Sequence, residues 1–200
     1  MRIEYVTRPC GRRRAVAALA VALCCLTPLL ASRVRPVNLE EMTARAERIV
    51  SGECVGVEVV RDPELDLDVA HVTLRVERSL KGGPPGTLTV RMLAGVADSG
   101  RGSGVAGMPR FARGERVILF LYGESGSGLT SPVGLGQGKF TVLADKEGRE
   151  IAFNGFGTRM LFQRLSPNAL TRLGDQAEPW KDRDGIPPSV LLDMVRSLNP

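Results

Sequence analysis

Aromatic residues are scarce: they make up 4% of the 200 residues, with one Trp and two Tyr. That supply is too thin for a stacking platform on which bases or sugars could be layered. Histidine occurs once and cysteine four times, so a transition-metal centre has few soft ligands to draw on. A long hydrophobic run is also missing. The most apolar stretch, Ala15 to Leu26, is short of the roughly 20 residues that a helix needs to cross a bilayer. What is plentiful is ordinary: 43% hydrophobic and 24% charged side chains, a balance that excludes a disordered tail protein and suits a packed domain.

The apolar stretch has a specific setting. Arg12, Arg13 and Arg14 precede it, Thr27-Pro28 breaks it, and Leu30-Ala31-Ser32 supplies small residues after it. A charged start, a short apolar middle and a small-residue end are the parts of a secretory signal, so residues 1–32 are expected to be a cleaved export signal. No small residue stands before Cys24 or Cys25 as a lipoprotein box requires. The expected destination is the periplasm or the exterior of a bacterial cell, with no stable membrane span after cleavage.

Removing residues 1–32 from the 200 leaves 168, and takes away five Arg and one Glu, so that 22 basic and 21 acidic side chains remain, a net charge of +1. A broad positive field that would attract nucleic acid is therefore not expected. The same cut removes Cys10, Cys24 and Cys25 and leaves Cys54 alone. An intramolecular disulfide is then impossible, and stability has to come from a core.

Asn38 followed by Glu41 reads as a helix start, the Asn capping free N–H groups and the Glu reaching back. Leu39, Met42, Ala46 and Ile49 continue on one helical face. Six strands are expected after it. Ile49 to Arg61 is rich in valine, but its apolar positions change phase between Cys54 and Val55, with Gly52 and Gly56 close by. Such a change marks a bulge. Ala70 to Val76 and Leu88 to Met92 alternate apolar with polar residues, the period of a strand with one wet face. Val117 to Tyr122 is continuously apolar and is expected to be covered on both faces or to sit at the centre of a barrel. Phe140 to Ala144 and Ile151 to Phe153 complete the set. Residues 94–107 hold five glycines and two serines and read as a long surface loop. Gly123 to Gly128 reads as another mobile loop. In the tail, Ser166-Pro167 starts one helix, residues 174–186 read as loose, and Leu191, Met194, Val195 and Leu198 form the apolar stripe of another. The expected architecture is mainly β: a small closed OB-like barrel of five to six antiparallel strands around one interior, with a short N-terminal helix and a C-terminal amphipathic helix. Residues 33–165 would be the barrel domain and 166–200 a helical extension packed on it. A two-sheet sandwich is the alternative.

Four motifs could carry chemistry. Gly52-Glu53-Cys54-Val55-Gly56 has the outline of a nucleophile elbow, with His71 as its one available imidazole, but an elbow needs a helix after the turn and here valines continue. A cysteine-dependent hydrolase using Cys54 and His71, or an OB-type ligand-binding protein, is the alternative function. Asp62, Glu64, Asp66 and Asp68 could hold a hard cation, yet Pro63 stiffens the loop and the bending glycine is absent. Gly134 to Lys139 resembles a phosphate loop, but Phe140 stands where a hydroxyl is needed. No cofactor or metal is expected, and neither is an enzyme. Met108, Pro109 and Phe111 are apolar residues bracketed by glycine-rich sequence, and with loops 94–110 and 123–137 they are the expected protein-interaction surface.

The helix, then Ala46 to Gly52 opening a valine-rich strand, then Val72 to Glu77 running to Leu80-Lys81-Gly82, and later Phe111 to Leu121, form an ordered set. In this order the chain resembles the netrin-like module of the tissue inhibitors of metalloproteinases, over residues 38–154. The resemblance implies an OB-type barrel and an exported, non-enzymatic binding role, with a secreted protease as a partner class. The inhibitors' zinc-coordinating amino-terminal cysteine has no counterpart here, since Cys54 lies well inside the chain. The chain also resembles uncharacterised exported bacterial proteins, which imply no activity.

Overall fold

The computed structural model describes residues 35–95 and 104–199; the expected signal segment lies outside them. Helix α1, Leu39–Arg45, starts where Asn38 accepts a hydrogen bond from the Glu41 amide at 2.8 Å. The Asn38 side chain also donates to the carbonyls of Gln163 and Arg164. Glu41 does not reach back to complete a capping box; its carboxylate turns to Arg45 at 2.6 Å. The helix ends at Arg45, and Ile49, expected on its apolar face, belongs to the first strand.

The six expected strands are all present: β1 Arg48–Asp62, β2 Leu67–Lys81, β3 Gly86–Leu93, β4 Arg116–Leu121, β5 Lys139–Ala144 and β6 Glu150–Phe153. They form one sheet in the order β3-β2-β1-β4-β5-β6, each pair antiparallel. The sheet is not closed, and β3 and β6 are its edges. The segment between β4 and β5 comes to the β3 edge instead. Leu129 bridges Arg91, the Thr130 amide donates to the Arg91 carbonyl at 2.8 Å, and Pro132 bridges Leu121. The Leu121 bridge lies on β4 rather than β3, and Pro132 has no N–H with which to extend it into a ladder. Thr130 and Val133 are buried; this part of the expected loop 123–137 is fixed in place.

The phase change in β1 is a register shift. Cys54 faces Leu74 and Gly56 faces Thr73, which leaves Val55 without a partner in β2. Beyond the shift Val57 pairs with Val72 and Val59 with Ala70, so these valines share the face of Cys54 and Leu74. Gly52 is required by close approach: a Cβ there would lie 2.1 Å from the Arg75 carbonyl oxygen.

Both faces of the sheet are packed, where a single interior was expected. Val50, Cys54, Val72, Leu74, Val90, Met92, Val117, Leu119 and Leu121 form one cluster. Ile49, Ile118, Phe120, Phe140 and Ala152 join the helices in the other. β4 therefore sends alternate residues to two cores, which is why its sequence is apolar without a break. Helices α2, Pro167–Leu173, and α3, Pro188–Leu198, lie on the second face with α1. Leu191, Met194, Val195 and Leu198 are all buried there. Ser166 caps α2, and its hydroxyl and amide both donate to Glu40, which is held below the usual carboxylate range mainly by the hydroxyl. Residues 174–186 are ordered rather than loose. Gly174–Trp180 is a 3-10 helix with Ala177 buried, and Ile186 exchanges two backbone hydrogen bonds with Ala152 on the β6 edge. Among the described residues no helix is long and apolar enough to cross a membrane.

Candidate functional site

Of the three expected interaction residues, the structure sends one inward and two outward. Ala94 and Gly95 run alongside the following segment: the Val105 amide donates to the Ala94 carbonyl, and Gly95 bridges Val105. A Cβ on Gly95 would meet the Met108 carbonyl oxygen at 2.6 Å, so glycine permits this close packing. The turn that follows plugs Met108 into the cluster of Val90 and Met92, where it is 8% exposed. Met108 is therefore a core residue and not a surface anchor, because an apolar side chain at a turn that lies on the sheet gains more from burial than from water. Pro109 and Phe111 remain half-exposed. Residues 96–103 of the expected loop lie outside the described residues.

Pro109 and Phe111 form one wall of a groove of about 350 Å³ whose opposite wall is Val57, Val59 and Ala70, with Asp68 and Arg110 among the polar lining residues. Val57 is 38% and Val59 57% exposed. They lie on the core-facing side of the sheet, in the part of β1 that runs past its pairing with β4. The β1 bulge thus sets which residues line the groove, since without it these valines would face the other way.

The Phe111 wall is fastened by charge. The Lys139 ammonium lies 4.7 Å from the centre of the Phe111 ring, a cation–π contact. It also donates to the Arg110 carbonyl and to Glu115 Oε1, both at 2.6 Å. Glu115 Oε1 accepts from the Thr141 hydroxyl at 2.6 Å, and Oε2 from the Ala112 amide at 3.1 Å. The Lys139 and Glu115 side chains are only 11% and 15% exposed, so the pair is shielded and its hydrogen bonds hold residues 110–115 against β5. Neither residue stood out in the sequence, because a Lys and a Glu 24 positions apart carry no local signal.

The structure does not bring Cys54 and His71 together. Cys54 is fully buried on the face shared with Leu74, its Sγ 3.6 Å from the Gly56 carbonyl oxygen. Burial pushes its thiol up, partly offset by the Gly56 contact. His71 is an odd-numbered neighbour of Thr73 on β2 and faces the opposite way, between Glu58 and Arg91. The glycines of the expected elbow sit inside a continuous strand, with no turn or helix.

Three of the four acidic residues of the β1–β2 turn, Asp62, Asp66 and Asp68, are occupied. Asp62 Oδ1 accepts from the Glu64 and Leu65 amides, both at 3.0 Å, and Oδ2 accepts from Arg91 at 2.9 Å. The Leu65 amide is the main reason its carboxyl lies below the usual range. Arg61 holds Asp66 and Asp68. Among the described residues no group of three or more His, Cys, Asp or Glu is placed to hold a metal ion. In the Gly134–Lys139 stretch, Leu135–Gly138 is a 3-10 turn. Its buried Gln137 accepts from the Val37 amide and donates to the Arg35 carbonyl. The loop clasps the segment before α1 and leaves no cradle for a phosphate. The groove, with Val57 and Val59 exposed along it, is thus the candidate site among the described residues. No family model, curated protein or solved structure matches the chain.

Proposed function

We propose that the chain is an exported, non-enzymatic protein-binding module, and that its contact surface is the groove between the far half of β1 and residues 109–111. The observation that carries this reading is the pair of exposed valines, Val57 and Val59, opposite a Phe111 that Lys139 holds in place. An aromatic anchor with limited freedom beside an apolar wall is the makeup of an interaction hot spot. In this reading the sheet, with the 129–132 segment against its β3 edge, is an opened form of the OB-type barrel. A secreted protease is the partner class that the netrin-like resemblance suggests.

Photo-crosslinking tests it. A benzoylphenylalanine placed at Val59 should give a discrete adduct with a partner in the exported fraction. The same probe at Leu170, 52% exposed on α2, should give none. Phe111→Asp should weaken the Val59 adduct by about tenfold or more. Equal adducts from both positions, or a Val59 adduct indifferent to Phe111→Asp, would rule out the groove.

A further inference from the structure

The two margins of the sheet are covered unequally. On β6, Ile186 exchanges two backbone hydrogen bonds with Ala152, and near the C-terminal end of β3 the Thr130 amide donates to the Arg91 carbonyl. The Arg91 bond shows which residues of β3 turn their backbone groups away from β2. In an antiparallel ladder these residues alternate, so they are Arg91, Thr89 and Thr87. Among the described residues, nothing pairs with the backbone of Thr87 or Thr89 on that side. Both threonines are exposed, and residues 84–90 carry no charge. A charged side chain is a common guard on an open edge, and here the sequence supplies none. Pro84 and Pro85 stand before the strand rather than within it.

We propose that a second copy of the chain docks on this edge, β3 against β3 about a two-fold axis at Leu88, so that one antiparallel sheet runs through both copies. The unpaired backbone groups select that register. With the axis at Thr87, Pro85 would lie opposite Thr89 of the other copy and has no N–H to give. With the axis at Thr89, Thr87 would lie opposite Arg91 of the other copy, whose carbonyl already accepts from Thr130. With the axis at Leu88, Thr87 meets Thr89 of the other copy and Thr89 meets Thr87, and every open N–H and C=O of these residues finds a partner. The side chains agree with the backbone. A strand suited to this edge carries a hydroxyl or β-branched residue opposite each threonine on one face and an apolar residue beside Leu88 on the other. Thr87-Leu88-Thr89 is itself such a strand. Thr89 and Thr73 already share a hydrogen bond at 3.1 Å, so a row of threonines extends from β2 across the axis. Leu88 is half-buried against the cluster of Val90 and Met92 and gains cover from its own copy. The axis stands perpendicular to the sheet, so the faces that carry Val57 and Val59 lie on the same side in both copies.

Sedimentation equilibrium of the purified protein tests this. A contact this short belongs with weak, transient associations, so the measurement spans about 1 μM to 1 mM. The protein should pass from monomer to dimer within that range. Thr89→Pro removes an outward amide and leaves the ladder to β2 in place; it should weaken the dimer about tenfold or more. Thr87→Lys combined with Thr89→Lys should do the same by setting like charges across the axis. Thr87→Lys combined with Thr89→Glu sets each Lys opposite a Glu of the other copy and should bring the dimer back to within about threefold of the unaltered chain. Urea midpoints confirm that each variant folds; should Thr89→Pro fail to fold, the two double variants at these exposed positions decide. A monomer at about 1 mM, or a dimer that neither Thr89→Pro nor the double lysine weakens, would overturn the proposal. A lysine–glutamate variant as weak as the double lysine would overturn the pairing of Thr87 with Thr89. A dimer that Val59→Asp dissolves and Thr89→Pro leaves intact would place the second copy in the groove and remove the edge contact.

Discussion

The two halves of β1 belong to one continuous strand and have opposite situations. From Arg48 to Cys54 the strand is paired on both sides and covered on both faces, with Ile49 in one core and Val50 and Cys54 in the other. Beyond Cys54 the strand runs past its pairing with β4, and Val57, Val59 and Val60 are exposed. The exposed half holds four valines and the covered half one, so valine content reports strand and not burial. What separates them is where β4 begins.

Three measurements sharpen that contrast. The largest effect is expected from side-chain truncation. Ile49→Ala, at a fully buried position, should cost about 2–5 kcal/mol in urea unfolding. Val59→Ala should stay within about 0.5 kcal/mol while weakening the Val59-side contact with a partner. A similar cost for both would mean that the far half is covered after all. Next in size is a pair of glycines. Gly52→Ala drives a Cβ to 2.1 Å from the Arg75 carbonyl, whereas at Gly56 the nearest atom, Thr73 Cβ, is at an ordinary 3.7 Å. Gly52→Ala should cost about 1–3 kcal/mol or more, and Gly56→Ala should be close to neutral or stabilising. Equal midpoints for the two would refute the close approach at the Ser51/Gly52 shift in register.

The smallest effect lies at the boundary between the halves, on Cys54. Burial raises its thiol above the value it has in the unfolded chain. Between the unfolded and folded values the native state holds the proton and the unfolded state does not. Stability is therefore undiminished below the unfolded thiol value and declines as pH rises above it, with a slope of at most about 1.4 kcal/mol per pH unit. Cys54→Ala should remove that part of the alkaline slope, and the native thiol should resist alkylation until the protein unfolds. Rapid labelling of the folded protein would contradict its burial and reopen the question of its reactivity.

Several of these features were legible in the residues. The six strands follow from alternation and from the turn residues between them, and the bulge from the change of phase beside Gly52 and Gly56. The cap at Asn38 and the apolar stripe of α3 are equally local. The Phe111 wall was only partly legible. Met108 and Phe111 are both apolar and flanked by the same glycine-rich sequence, and which of them is buried depends on how the turn after Gly95 lies against β3. The Glu115–Lys139–Thr141 bonds that fix it join residues from different strands.

The order of elements, the faces of each strand and the shift at Val55 were determined by the sequence alone, because they depend on neighbours a few residues apart. Whether the sheet closes, that it carries a core on each face, and that β1 runs on past its pairing with β4 were decided only in the tertiary structure. Those outcomes depend on where strands end relative to one another. β4 stops pairing at Glu53 because the chain before Arg116 turns to meet Lys139 and Thr141, a contact between distant residues that no local pattern encodes.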